Sequence, residues 1–475
     1  MRCLGKQGTA GEPQAMPTTM RKGHRTASRE EQLPLLISEN AGPTNGDSCF
    51  KDPAFAANKR LPIHRWVPWI AGFSSEFVKG ALERHLPRQG VVLDPFAGVG
   101  TTLVESLQAG HDVIGFEINP YAALACRVKL AAFTTDLKAF ARAIRRLSTF
   151  YNDKLETGCP PRSVPPSGFR TRGEFYSPDV LIKVLIVQDF IKGVGKGDLQ
   201  DLFNIAFAST MITYSNYSYE PSLGQRTSAG KGLIRDFPVG ELVLAKLGEM
   251  LEDATYVQRE RRQVPGHQVI NDSFFQCRSH LKRNSIDLII TSPPYLNNYH
   301  YNRNTRPHLY WLELVNSPDD MRPLEDANFG KYWQTVRERE RVDLSFDLRS
   351  SDISQRIGSI RALNADKGIY GGNGWANYAA SYFNDCYEFA RCARYALKRG
   401  GTALVVLGNS ILQGVMIATD QYMGQIGEAA GLELVDIHTP RTARVGNSII
   451  SSGVRAGKAS AGQHLYEAVV ELRRR

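Results

Sequence analysis

Ten residues, Ile286-Asp-Leu-Ile-Ile-Thr-Ser-Pro-Pro-Tyr295, constrain this chain more than any other stretch. The apolar run with its three isoleucines reads as a central parallel strand, and the two prolines cannot continue it. The strand is therefore predicted to end at Thr291. Pro293 and Pro294 fix their own φ angles and restrict the residue before each, so Ser292 to Tyr295 are held rigidly at the carboxyl end of the strand. In an open α/β sheet that edge is where ligands bind. A hydroxyl, a carbonyl without a helical partner and an aromatic ring on such a turn suit the gripping of a planar, hydrogen-bonding ring. Two prolines alone would support no more than a turn that ends a strand. A second motif upstream changes the balance.

That motif is Gly90-Val-Val-Leu-Asp-Pro-Phe-Ala-Gly-Val-Gly-Thr-Thr102, an apolar strand entering a glycine-rich turn and a helix from Leu103 to Gln108. Gly98 and Gly100 let a ligand approach the backbone, and the free amides at the helix start attract a carboxylate or phosphate. The third glycine of the dinucleotide fingerprint is absent, and no Gly-Lys-Ser/Thr follows to make a phosphate-binding loop. The next strand, Asp112-Val-Ile-Gly-Phe-Glu117, ends in a carboxylate where ribose hydroxyls are usually held. The alternative for Glu117 is that it only favours the dipole of the helix opened by Asn119-Pro120.

Around these two motifs the chain of 475 residues is predicted to form one α/β, seven-stranded, doubly wound sheet with excursions. Residues 1–48 read as a mobile polar and basic arm carrying Arg21-Lys22-Gly23-His24-Arg25. Residues 49–131 hold the glycine motif, with Ser74 or Ser75 capping a helix that runs to about Leu86. Residues 132–265 interrupt the alternation with helical patterns and read as an insertion. Residues 266–475 resume the sheet at His267-Gln-Val-Ile-Asn-Asp272, and 297–375 form a polar loop or small recognition element. A long helix is expected from Asn377 to Lys398, then strands at 402–407, 432–438 and 464–472, the last two an antiparallel edge joined by a basic loop.

A net charge of +10 favours a polyanionic partner, although the excess is spread along the chain. The segment Asn298, Tyr299, Arg303, Arg306 mixes amides, an aromatic ring and guanidinium groups suited to nucleic acid, and equally to an exposed polar loop. No apolar run reaches a membrane span and no signal-peptide core is visible, so a cytoplasmic protein is expected. The seven cysteines show no paired spacing, so neither a metal nor a disulfide framework is expected.

Taken together, Asp94-Pro-Phe-Ala-Gly-Val-Gly-Thr-Thr102 and Thr291-Ser-Pro-Pro-Tyr295 resemble the signature turns of the S-adenosylmethionine-dependent amino-methyltransferases that act on exocyclic amines of DNA bases. The resemblance covers about 61–131 and 267–472, and Tyr214-Ser-Asn-Tyr and Gly408-Asn-Ser are similar to a subgroup with a helical insertion. It implies a Rossmann-like methyltransferase sheet with S-adenosylmethionine as cofactor. Asp94, Phe96, Gly98, Gly100 and Thr101 would surround the methionine part, Glu117 would hold the ribose and Asp272 the adenine side, while Phe73 and Ser74 would close over the carboxylate. Ser292, Pro293, Pro294 and Tyr295 would form the catalytic turn. Double-stranded DNA would be the substrate, and a cognate restriction endonuclease a partner of the type. Here the acidic motif is Asn271-Asp-Ser where Gly-Asp is usual, and target recognition is open between 150–262 and 297–375.

The chemistry stands beside the resemblance. An exocyclic amine is a poor nucleophile because its lone pair is delocalised into the ring. Hydrogen bonds from its two protons to the Ser292 hydroxyl and the Pro293 carbonyl favour a pyramidal nitrogen that can displace the sulfonium methyl directly. Tyr295 offers a face for a base turned out of the helix. No metal is required. C5 methylation would need a Pro-Cys turn, and the one adjacent pair is the reverse, Cys159-Pro160. Serine at 292, where the adenine enzymes generally show Asp or Asn, favours cytosine N4. The alternatives are an adenine-N6 or RNA amino-methyltransferase and, from a different class, a DNA-binding module without catalysis.

Overall fold

The computed structural model describes residues 50, 55–69, 74–219, 223–260, 263–296, 301–348, 351–443 and 465–475. The arm 1–48, Phe73, Asn298, Tyr299 and most of the loop between the last two strands lie outside the described residues.

Seven strands form the main sheet: β1 Val91–Asp94, β2 Asp112–Phe116, β3 His267–Ile270, β4 Ile286–Thr291, β5 Leu397–Gly408, β6 Glu433–Ala443 and β7 Leu465–Arg473. Their order is β6-β7-β5-β4-β1-β2-β3. The pairings from β3 through β5 are parallel, and β7 runs antiparallel between β5 and β6. The α/β doubly wound sheet expected from the sequence is therefore the fold. The chain leaves β1 towards β2 and later returns to β1's other side as β4, so the topological switch point lies between β1 and β4, the two strands that carry the motifs.

The residues of β4 show why it is central. Leu288 and Ile290 pack with Phe77, Val78 and Leu82 of helix α1 (Ser75–His85), while Ile289 packs on the opposite face with Phe383 and Phe389 of the long helix Gly372–Ala396. A strand covered on both faces needs apolar residues at successive positions. Helix α1 starts where the sequence places it, because the Ser74 hydroxyl accepts the Phe77 amide at 3.1 Å. Asn119 caps helix α2 of the second crossover, Pro120–Ala131, in the same way.

Residues 132–265 are largely helical. Four helices, α3 Leu137–Thr157, α4 Pro178–Val194, α5 Asp198–Thr210 and α6 Val239–Glu260, share one core with the crossovers behind β1: Phe140, Val184, Phe203 and Met250 lie in the same cluster as Leu103 and Leu124. These helices thicken one layer of the sheet. They are also latched to the segment before α1. Buried Asp253 of α6 accepts Ile63 N at 2.8 Å, Trp66 Nε1 at 2.9 Å and Arg65 Nη2 at 2.6 Å. Asp253→Ala leaves two buried donors and a guanidinium without their acceptor, so a loss of about 3 kcal/mol is expected. The urea midpoint of the variant checks it, with an unchanged midpoint contradicting the latch.

Two stretches differ from expectation. The helix expected at 377–398 spans Gly372–Ala396, and β5 begins at Leu397. A bulge absorbs Lys398 to Gly401, since Ile286 pairs with Leu397 but Leu288 pairs with Thr402, and Gly400 sits at φ 79°. The stretch read as polar loop contains helix α7, Tyr301–Trp311. Its amides are buried for pairing: Asn119 Nδ2 donates to Asn302 Oδ1 at 3.1 Å and to Thr305 Oγ1 at 2.8 Å, and Leu223 N donates to Asn304 Oδ1 at 3.0 Å. Short helices also occur at Pro318–Asp326 and Ile353–Ala362.

Candidate active site

The ends of β1 and β4 are stapled side by side. Asp94 is 1 % exposed, and its Oδ1 accepts both the Phe96 amide at 3.0 Å and the Thr291 hydroxyl at 2.7 Å. Thr102 Oγ1 donates to the Ile290 carbonyl at 3.3 Å. Two turns nearly 200 residues apart in sequence are thus fixed relative to each other by side chains within the motifs themselves, Asp94 to Thr291 spanning |i−j| = 197.

The glycine turn is held from behind. Gly98 and Gly100 adopt φ 53° and 84°, which a β-carbon would strain. A β-carbon on Gly100 would also meet Cys126 Sγ at 3.1 Å. Buried Lys129 donates to the Val99 carbonyl at 2.9 Å, and Cys126 Sγ donates to the Gly98 carbonyl at 3.2 Å. The amide of Gly98 meanwhile donates to Glu117 Oε2 at 2.8 Å, and the Asn119 amide to Oε1 at 2.8 Å. Burial pushes the Glu117 carboxyl up to about 7, against the pull of those amides and with the neighbouring Asp94 adding to it. Burial likewise pushes Asp94 up to about 6, against its hydroxyl and amide donors.

In front of both turns lies a cleft of about 930 Å³, partly open to solvent. Asp94, Phe96, Gly98, Thr101, Glu117, Ser292 and Pro294 line it. Of the other residues singled out from the sequence, Ser74 is the buried cap of α1 and Gly100 packs on Cys126, so both act from behind the lining. Asp272 is turned aside, accepting His280 Nε2 at 2.7 Å and the Ser273 amide at 2.7 Å, and the wall at that strand end is made by Ser273, Phe274 and Phe275. Pro293 is buried. Tyr295 is half-buried, with its hydroxyl donating to Glu467 Oε1 at 3.1 Å. Arg303 is exposed on α7. Arg306 lies over the rings of Phe169 and Tyr310 and donates to the Arg170 carbonyl at 3.0 Å, which ties it to the protein.

Several lining residues were not singled out from the sequence. Trp69 stacks on Tyr301 with ring centroids 5.9 Å apart and planes 13° from parallel, and Phe329 meets Phe96 edge-on at 5.0 Å. Asn302, whose amide pairs with Asn119, completes that side. The Phe274-Phe275 pair directly after a strand end was the available signal for an aromatic wall. Trp69 and Phe329 carry none, because an aromatic residue in an apolar or mixed stretch reads first as core.

These features fit S-adenosylmethionine. The aromatic wall can take a purine ring. The Glu117 oxygens each accept one amide and keep lone pairs for ribose hydroxyls, and a buried acid with a raised pKa gains from such donors. Among the described residues, no group of three or more His, Cys, Asp or Glu side chains could hold a metal ion, and no helix is long and apolar enough to cross a membrane.

Residues 51–126 match a family model described as DNA methylase. Along most of its length the chain is similar to the Type II methyltransferase M.BsoBI of Geobacillus stearothermophilus, 25% identical over 83% of both chains. It is also similar to the Type II methyltransferase M.AvaI of Anabaena variabilis, 26% identical over 85% of this chain and 86% of the relative. A shorter match, 25% identical over 54% of this chain and 59% of the relative, is to the Type II methyltransferase M.MvaI of Kocuria varians. With the glycine turn, the buried Glu117 and the Ser-Pro-Pro-Tyr turn on one sheet edge, these similarities support an S-adenosylmethionine-dependent DNA amino-methyltransferase.

Proposed function

We propose that this protein transfers a methyl group to the exocyclic N4 amine of a cytosine at a specific site in double-stranded DNA, in the setting of a restriction-modification pair. What carries the reading is the side-by-side stapling of Asp94 and Thr291, which leaves Ser292 facing the same cleft as Gly98 and Glu117. S-adenosylmethionine, when bound, supplies an electrophilic methyl. Glu117 binds its ribose, with Phe96, Gly98 and Thr101 around the methionine end and Phe274 and Phe275 against the adenine. The Ser292 hydroxyl and the Pro293 carbonyl accept the two amine protons, which localises the lone pair on nitrogen, while the ring of Tyr295 faces the base turned out of the duplex.

Serine at 292 and the absence of a Pro-Cys turn support the cytosine amine over adenine N6 and over ring carbon C5. The pairing with a restriction nuclease rests on similarity to proteins named as Type II methyltransferases. For DNA contact we assign Arg303, exposed on α7, together with Asn298 and Tyr299 in the segment before it, and Arg306 only through its neighbours. Target reading is assigned to the helical segment 132–265 or to 297–375. Duplex DNA methylated by the purified enzyme and digested to nucleosides is expected to contain N4-methyldeoxycytidine. N6-methyldeoxyadenosine as the sole product would reassign the base, and methylation of RNA but not DNA would reassign the substrate.

A further inference from the structure

S-adenosylmethionine carries a sulfonium, an ammonium and one anionic group, the carboxylate of its methionine end. The cleft offers that carboxylate no cation: among the described residues that line it there is no lysine, arginine or histidine. Neutral donors must hold it, and those nearest in the glycine turn are already committed. Phe96 N donates to Asp94 Oδ1 at 3.0 Å, Ala97 N to the Phe116 carbonyl at 2.9 Å, Gly98 N to Glu117 Oε2 at 2.8 Å and Gly100 N to the Ala97 carbonyl at 2.7 Å. Lys129 reaches the turn from behind and is spent on the Val99 carbonyl. Ser74, which the sequence placed over the carboxylate, caps α1 and does not line the cleft.

Trp69 supplies what the turn lacks. Half-buried, it lines the cleft, with Nε1 at 3.4 Å and Cε2 at 4.0 Å from where a β-carbon on Gly98 would stand. The edge of the indole that carries the N–H therefore faces the turn, and a glycine at 98 keeps the space between them free of a side chain. The stack on Tyr301, with planes 13° from parallel, braces the ring in that attitude. An indole nitrogen only donates. Trp66, earlier on the same segment, gives its hydrogen to Asp253 at 2.9 Å, whereas among the described residues no acceptor takes that of Trp69.

We propose that Trp69 Nε1 donates to the carboxylate of S-adenosylmethionine and so selects a cofactor with its complete amino-acid end. This inference rests on the reading above, which sets the methionine end around Phe96, Gly98 and Thr101. The carboxylate is the one anionic acceptor the cofactor has, and a hydrogen bond to a charged acceptor is stronger than one between neutral groups. The donor sits on the ring's edge, so its contribution is separable from that of the ring's apolar face.

The test is titration calorimetry on the full chain with S-adenosylmethionine and with decarboxylated S-adenosylmethionine, which lacks only that carboxylate. Trp69→Phe keeps an aromatic ring against Tyr301 and removes the N–H. It is expected to bind S-adenosylmethionine about tenfold more weakly than wild type, and the decarboxylated compound within about twofold of wild type. The second affinity also reports that the cleft has kept its shape. Equal weakening of both compounds would overturn the assignment and leave Trp69 an apolar wall, and so would no weakening of either. Wild-type protein gives an answer even if the variant fails to fold. With its five tryptophans labelled at the indole nitrogen, one N–H resonance is expected to move with S-adenosylmethionine and not with the decarboxylated compound; a spectrum that responds alike to both would overturn the contact. A wild-type protein that binds neither compound would instead overturn the placement of the cofactor, and this contact with it.

Discussion

Replacing Ser292 with alanine is expected to slow methyl transfer on the order of 100-fold, equivalent to about 2.7 kcal/mol of barrier, while S-adenosylmethionine affinity changes by less than about twofold. The split follows from where the residue sits. Ser292 borders the cleft, yet the staple that holds the two turns together uses Thr291 and Asp94, and the acid assigned to the ribose is Glu117. Removing one hydroxyl at 292 therefore leaves the cofactor half of the cleft intact. It removes the oxygen that accepts an amine proton in the transition state. Loss of an interaction stronger in the transition state than in the ground state lowers kcat without raising KM. Ser292→Asn retains an acceptor oxygen and is expected to recover part of the rate. Single-turnover rates and calorimetric affinities, measured on the same preparations, check the split. An equal loss of rate and affinity in Ser292→Ala would remove the residue from its proposed role and make the turn a structural support.

What the residues disclosed in advance follows the reach of each physical signal. The run Ile286–Thr291 ends at two prolines, and Gly98 and Gly100 stand where positive φ is needed, so the strands, the turns and their shared sheet edge were legible from local rules. Asp94 and Glu117 were visible as acids at strand ends. That Asp94 staples Thr291 was not, because sequence spacing says nothing about which side chains meet across parallel strands. Helix α7 was masked by its own composition: Asn302, Asn304 and Thr305 read as solvated loop, but each is buried against a specific partner, Asn119 or the Leu223 amide. Asp272 shows the opposite failure. A carboxylate at a strand end reads as a ligand group, and here His280, eight residues on, captures it. Glu467 sits in β7, an inner strand whose alternation reveals only burial. Its meeting with Tyr295 depends on the β5–β7 register and on a glycine at 408.

Cofactor affinity is expected to depend on pH through Glu117, and the sign can be worked out. Burial raises this carboxyl from 4.5 to about 7, so in the free enzyme it is largely protonated below neutrality. Ribose hydroxyls donate to the ionised form and favour it, so binding expels a proton wherever the free group still holds one. The Kd for S-adenosylmethionine should therefore fall as pH rises towards 7 and level off above it, being larger at pH 5.5 than at pH 7.5 by about tenfold or more. Asp94, raised from 3.8 to about 6, adds to the same slope at its lower end. Glu117→Gln removes the Glu117 contribution. At pH 7.5 it should weaken binding on the order of 100-fold, since a charge-assisted acceptor for hydroxyls and for the Gly98 and Asn119 amides is lost. At pH 5.5 the gap between the two enzymes should narrow, because the wild-type acid is then mostly neutral too. Stability runs the other way. A carboxyl whose folded pKa is raised contributes fully below its unfolded value of 4.5, and that contribution is lost as pH rises through about 7. Without ligand, Glu117→Gln should accordingly melt above wild type at pH 8 and close to it at pH 4.5. Titration calorimetry in buffers of different ionisation enthalpy reads the released proton directly. A wild-type Kd no more pH-dependent than that of Glu117→Gln, with equal melting at pH 8, would mean that Glu117 is ionised throughout and that the cleft does not hold the ribose through it.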